Sequence, residues 1–444
     1  MIDIILNSFK ENSDKLAFVT DSESITFGDL LDLAKRYAFS ISGSKKPVIV
    51  KGKKQIHMLA GFVACLMASR PYVPCDEDMP EMRFRSLVEA SGADTVIDSD
   101  FVPAEERLEH FENNDGDIAY IIFTSGSTGV PKGVPISRGN LKAFVHGLLG
   151  RLPALCEQKG KVVLNQARFS FDLSVADIYF SLCFGSTLFA LGNKIQLEPE
   201  KMLDAFSKSG ASLAVMTPTF AKYCLCMPEF GRELLPNLRC IFFCGETLEP
   251  QTAKKLMKRF DGLKIINAYG PTEATCAVCG IEITGEMCES AVLPVGKTDL
   301  ATCNISVCDG EIVLEGKSVF GGYLGKEPLD GAYKTGDKGE IIDGTVYCYG
   351  RKYGYVKYKG HRIELDEIKN AMLRIEGVEQ CEVIAVTGKN GVITAITAKA
   401  VSFTLNEDEI KSHLSQLIPE YMMPRTIKIL DRISFNDNGK QRLE

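Results

Sequence analysis

Short apolar runs alternate with helical patterns along most of the chain, and this alternation restricts the fold more than any other feature. Strand-like runs occur at 47–50 (PVIV), 118–123 (IAYIIF), 161–164 (KVVL), 186–191 (STLFAL), 212–216 (SLAVM), 238–243 (LRCIFF) and 264–267 (KIIN). Between several of them, apolar residues recur at helical spacing. Phe27, Leu30, Leu31, Ala34, Tyr37, Ala38 and Ile41 share one face of 27–41, and 174–184 and 251–260 also read as helices. Short apolar strands joined through helices predict βαβ units, hence an α/β fold of helix-covered, mostly parallel sheets.

The pattern changes after about residue 295. Runs at 311–316 and 340–350 read as antiparallel strands, the second bent at Asp343-Gly344, a favoured hairpin dipeptide. Beyond the Gly-flanked, charged segment 350–354 come a strand, a helix at 364–375, a hairpin around Asn390-Gly391, a helix at 407–417 and a strand near 425–430. The expected layout is a large domain over 1–350 that includes a β-rich subdomain, a linker at 351–354, and a small α+β domain over 355–444.

Composition narrows the function. The 444 residues carry 51 Lys plus Arg and 58 Asp plus Glu, a net charge of −7, so broad nucleic-acid binding is disfavoured and any anionic ligand must be held locally. No stretch approaches a membrane span, and the N-terminus does not read as a signal peptide. The cytoplasm is therefore expected, where the 15 cysteines stay reduced. Cys276 and Cys279 form an isolated C-x-x-C, and the five histidines form no zinc motif with it.

The sharpest local feature follows the strand 118–123: Thr124, Ser125, Gly126, Ser127, Thr128, Gly129, Val130, Pro131, Lys132, Gly133. Glycines let such a loop turn its N–H groups inward, hydroxyls and one lysine add donors, and no carboxylate opposes them. These are the properties of a polyphosphate cradle. The spacing is not that of a P-loop, because Pro131 stands five residues after Gly126.

Further signatures accompany this loop in a fixed order: TFGDL (26–30), PYVPCDEDMP (71–80), FSFDLS (169–174), NAYGPTEAT (267–275), YKTGD (333–337), GRKYGYVKYKGHRIELDEI (350–368) and NGKQR (438–442). Together they resemble the adenylate-forming superfamily of acyl-CoA synthetases, luciferases and nonribosomal-peptide adenylation domains, over nearly the whole chain. The resemblance implies ATP and Mg²⁺ as cofactors. It puts the 124–129 residues and Lys132 on the β- and γ-phosphates, and Asn267 and Tyr269 at the nucleotide, with Tyr269 against adenine. Thr272 falls to the α-phosphate, Glu273 to Mg²⁺, and Asp337 and Arg351 to the ribose. Lys440, with Thr272 and Glu273, is implied as catalytic, reaching the α-phosphate and the substrate carboxylate.

The resemblance also separates branches. Asp172, in FSFDLS, stands where amino-acid-activating members receive the α-ammonium; a plain helix cap is the other reading of that residue. FFCGETL (242–248) and its neighbours resemble the D-alanine–D-alanyl carrier protein ligases, in which the cysteine matched by Cys244 lines the pocket. The implied reaction activates D-alanine with ATP and transfers it to the phosphopantetheine thiol of a carrier protein, in lipoteichoic acid D-alanylation. A stand-alone adenylation enzyme for another small amino acid, or a non-catalytic nucleotide-binding relative, remain the alternatives. Tyr353 and Tyr355 depart from the family's usual Asp and Gln in the linker, so the swing of the small domain on Tyr353 is open.

Overall fold

The computed structural model describes residues 1–124, 132–351, 355–388, 392–430, 434–435 and 441–442. These form two compact units. The first comprises Met1–Glu77, Ser91–Ile122 and Gly133–Lys352; the second comprises Asp78–Ala90, Phe123–Lys132 and Tyr353–Glu444.

The first unit holds three sheets. The eight-stranded one runs, edge to edge, Cys279–Glu282, Lys264–Tyr269, Cys240–Phe243, Leu213–Met216, Val162–Asn165, Thr187–Ala190, Leu16–Val19 and Ser24–Thr26. Its six inner strands are parallel and its two edge strands antiparallel. The expected strands at 161–164, 186–191, 212–216, 238–243 and 264–267 all lie in the parallel part. A five-stranded sheet runs Thr95–Ile97, Val48–Gly52, Tyr72–Asp76, Ile118–Thr124 and Lys132–Ser137, of which Phe123, Thr124 and Lys132 fall in the second unit. The third sheet is the antiparallel one expected after residue 295, with Tyr333–Ile342 paired to Thr345–Arg351. Asp343 and Gly344 both take positive φ, 48° and 73°, the backbone that a tight two-residue hairpin requires.

Residues from all three sheets meet in one apolar core, to which Val50, Phe62, Val134, Val163, Phe242, Ile266, Ile312 and Val346 belong. Two of its helices are apolar all round, as buried helices are. Ile56–Met67 is buried from Met58 onward, and Leu173–Phe184 is buried at every position except Phe184. By contrast Phe27–Ile41 is amphipathic, with the buried face Phe27, Leu30, Ala34, Tyr37, Ala38 and Ile41, and it starts at Thr26, whose hydroxyl accepts from Asp29 N at 3.1 Å. A further core packs Phe206, Phe230, Phe243 and Phe260.

One connection bears directly on the site. Strand Lys264–Tyr269 does not lead into a helix; the chain turns through 270–278 and returns antiparallel, with Tyr269 paired to Cys279. Thr275 and Cys276 take positive φ, 58° and 70°, within this turn. Gly270 permits it: a Cβ there would stand 2.6 Å from Ala277 Cα and 2.9 Å from Cys276 O, both backbone atoms that cannot yield.

In the second unit Tyr355–Tyr358 pairs with His361–Glu364. A three-stranded sheet joins Gln380–Thr387, Ile393–Val401 and Thr426–Leu430, the last pair parallel. Helices Leu365–Met372 and Glu407–Leu414 lend Ile368, Met372, Ile410 and Leu414 to its own small core. The described residues from 355 onward have the α+β character expected, while the unit they belong to also takes in Asp78–Ala90 and Phe123–Lys132, which the sequence assigns to the large domain. Among the described residues no helix is long and apolar enough to cross a membrane.

Candidate active site

The carboxyl end of strand Lys264–Tyr269 and the turn after it gather most of the described candidates of the first unit. Open α/β sheets bind ligands at such ends. Tyr269 is buried, and its hydroxyl donates to Asp337 Oδ2 at 2.6 Å. Burial, then the adjacent Asp337 carboxylate, push the Tyr269 phenol well above its ordinary range, so it keeps the proton it donates. Asp337 is itself buried, on strand Tyr333–Ile342, where the backbone pairs it with Arg351. One charge-assisted hydrogen bond thus joins Tyr269 to Asp337, 68 positions further along the chain.

Thr272 and Glu273 lie on the short 3₁₀ turn Thr272–Ala274. The Thr272 hydroxyl donates to Asp172 Oδ2 at 2.6 Å. Asp172 stands at the N-terminus of helix Leu173–Phe184 but makes no side-chain capping bond there. The plain helix-cap reading therefore does not hold, because the carboxylate is turned to the Thr272 hydroxyl instead. Glu273 is fully buried, and its Oε1 accepts from the Tyr323 hydroxyl at 2.6 Å. Tyr323 escaped the sequence reading because nothing in its local text, FGGYLG, marks it.

Cys244 directly follows strand Cys240–Phe243, is buried, and its thiol lies 3.5 Å from the Cys276 carbonyl oxygen. The Cys276 thiol is held well above its ordinary range, first by Cys244 and then by burial. Cys279, the other half of the C-x-x-C, directs its sulfur to Val295 O. The two thiols of that motif therefore serve different surroundings, and among the described residues the cysteines form no disulfide. Asn267 is buried with its amide donating to Pro294 O at 2.8 Å, a bond that ties the strand to the next segment.

Thr124 and Lys132 belong to the second unit. Thr124 is buried, and its hydroxyl has no hydrogen-bond partner among the described residues. Lys132 Nζ lies 3.7 Å from Glu364 Oε1, a carboxyl that burial raises against the pull of Lys132 and Arg362. Ser125, Gly126, Ser127, Thr128, Gly129, Lys440 and the linker residues 352–354, with Tyr353, lie outside the described residues, as does the side chain of Arg351.

The arrangement places a tyrosine–carboxylate pair, a threonine–carboxylate pair and a buried glutamate along one sheet edge. A hard carboxylate of this kind suits Mg²⁺, which is bound through one or two carboxylates together with substrate phosphates rather than by an all-protein cage.

Comparison with known proteins agrees with this fold. Residues 6–114 and 98–324 match the AMP-binding enzyme family, and residues 367–440 match the AMP-binding enzyme C-terminal domain. The chain belongs to the AMP-binding enzyme family. The D-alanine–D-alanyl carrier protein ligase of Bacillus velezensis is 36% identical, covering 96% of this chain and 94% of the relative. That of Staphylococcus haemolyticus is 34% identical, covering 99% and 98%. The adenylation domain AlmE of Vibrio cholerae, solved with glycyl-adenosine-5'-phosphate, superposes with a TM-score of 0.86 at 20% identity, covering 99% of this chain and 95% of that one. The o-succinylbenzoate CoA synthetase of Bacillus subtilis does so at 0.79 and 19%, covering 99% and 97%.

Replacing Tyr269 by Phe removes one donor to a buried carboxylate. The expected loss is about 1–3 kcal/mol of stability, read as a lowered thermal midpoint of the unliganded protein. A midpoint equal to wild type would mean that Asp337 is otherwise fully satisfied.

Proposed function

We propose that the protein activates D-alanine with ATP as the aminoacyl-adenylate and passes it to the phosphopantetheine thiol of a carrier protein. The observation that carries this reading is the 2.6 Å bond between Thr272 and Asp172. It supports an amino-acid substrate because it ties a residue assigned to the α-phosphate to a carboxylate assigned to an ammonium, and an amino acid presents its ammonium and its reacting carboxylate two bonds apart. The two curated relatives at 36% and 34% identity supply the choice of amino acid. The buried Cys244 beside Cys276 is consistent with a small side chain.

In this reading each residue has a definite task. Asp172 receives the ammonium. Tyr269 and Asp337 take the adenosine, with Asn267 behind them and Arg351 reaching the ribose. Ser125, Gly126, Ser127, Thr128 and Gly129, with Thr124 and Lys132, hold the β- and γ-phosphates. Glu273 holds Mg²⁺, which offsets the charge of the departing pyrophosphate. A carboxylate oxygen of D-alanine attacks the α-phosphorus while the bond to pyrophosphate breaks. Thr272 and Lys440 meet the charge gathered there, and only a placed cation relieves the approach of two anions. In the second half-reaction the carrier thiol attacks the acyl carbon and AMP leaves. Lys440 serves the first step and must withdraw for the second, so 351–354 is the hinge of the proposal and Tyr353 its pivot. A cytoplasmic site of action, before lipoteichoic acid D-alanylation, belongs to the same proposal.

ATP–pyrophosphate exchange tests the reading. D-alanine is expected to stimulate exchange well above L-alanine and above larger amino acids. In Asp172→Asn the KM for D-alanine rises far more than that for ATP, because the ammonium loses its charged partner while the amide oxygen can still accept from the Thr272 hydroxyl. Equal stimulation by L-alanine, or equal shifts in both KM values, would contradict it.

Lys440→Ala is expected to slow adenylate formation by about a hundredfold to a thousandfold while ATP binding persists, the usual cost of losing a group that acts mainly in the transition state. Unchanged turnover would show the lysine to be idle.

A further inference from the structure

Lys54 is buried deep in the first unit, 2% exposed, and lies between strand Val48–Gly52 and helix Ile56–Met67. An ammonium taken out of water is costly unless fully met by acceptors. Here Nζ donates at 2.8 Å to the carbonyl of Gln166 and at 2.8 Å to that of Leu191. Those carbonyls lie just past the carboxyl ends of Val162–Asn165 and Thr187–Ala190, two neighbouring strands of the other sheet. Gln196 Nε2 donates to the same two carbonyls at 2.9 and 3.1 Å. The Lys54 backbone takes φ 59°, unusual for a non-glycine residue and a mark of a conformation imposed by its surroundings.

The segment that begins at Gln166 ends at Asp172. It is fixed at further points by charged or polar groups. Asp76, ending strand Tyr72–Asp76, accepts from Ser170 Oγ at 2.7 Å and lies 3.4 Å from Arg168 Nη1. Asn165 donates to Ala167 O at 3.1 Å and to Asp177 Oδ2 at 2.8 Å. Asp177 is fully buried on helix Leu173–Phe184, five residues beyond Asp172.

We propose that Lys54 is a positioning residue for the amino-acid site: by clamping the Gln166 and Leu191 carbonyls it fixes the start of the 166–172 segment and so sets where the Asp172 carboxylate stands. Lys54 touches neither nucleotide nor amino acid; it acts through Asp172. Two tendencies agree with this. Burial draws the Lys54 ammonium below its ordinary range while Asp177 and Asp76 pull it back. Burial likewise pushes the Asp177 carboxyl well up, with Asn165 and Lys54 opposing. Each group thus offsets part of the other's burial cost, beside the hydrogen bonds that hold the segment. The inference rests on the amino-acid reading of Asp172 given above.

The test uses Lys54→Met, which keeps the length of the side chain and removes its charge and donors. It is paired with Lys54→Met/Asp177→Asn, which leaves no carboxylate stranded in the core if the single variant unfolds. Gln196→Leu removes the second donor from the same carbonyls nearer the surface. KM values for D-alanine and for ATP are read separately in ATP–pyrophosphate exchange on the full chain. In whichever Lys54 variant folds, the KM for D-alanine is expected to rise about tenfold or more with that for ATP within about twofold, the split that marks lost substrate positioning. Gln196→Leu should move the same way by less. A folded Lys54 variant with both KM values unchanged, or both raised alike, would overturn the proposal and leave Lys54 a structural strut. If wild type responds to a different amino acid, the choice of D-alanine falls, and the same comparison is made with the amino acid that works.

Discussion

A carboxylate removed from water must be met by donors, and the working edge of this molecule is organised around that requirement. Asp172 takes the hydroxyl of Thr272, Glu273 that of Tyr323, Asp337 that of Tyr269, and Asp177 the amide of Asn165. Each donor comes from a different part of the chain from its acceptor, so each pairing also fixes one element against another. Losing a donor exposes a cost of about 1–3 kcal/mol, comparable to a sizeable part of a domain's net stability. Site geometry and structural integrity are therefore hard to separate here.

Much of the fold was legible because the driving pattern is local. Helix 27–41 is correct to the residue, since its apolar face and its Thr26 cap are both written in sequence. The inner strands of the large sheet read as short apolar runs because parallel strands are buried on both faces. The antiparallel return at Cys279–Glu282 was not legible. It depends on a turn with Thr275 and Cys276 at positive φ, a conformation that neither residue advertises and that a Gly270 close to backbone makes possible.

For the site, motifs marked Asp172, Thr272, Glu273 and Asp337, but not which of them would touch. The Asp172–Thr272 contact joins residues 100 apart, and no periodicity carries that information. Tyr323 and Lys54 were missed for a related reason. Each has an ordinary neighbourhood in sequence and gains its importance from what the fold brings to it. Asp177 did leave a trace, a lone carboxylate in the apolar run SVADIYFSLCF, and such a charge in a fully buried helix demands a partner.

The clamp on Gln166 and Leu191 spans 112 and 137 residues of chain. A ribosome that has released residue 54 must add well over a hundred more before the acceptors of that ammonium exist. Until then the Lys54 ammonium has neither of these two acceptors. Both acceptors exist once residue 191 of 444 has been made, so these contacts can form while more than half of the chain is still to be synthesised, and a chain truncated before Leu191 lacks one of them.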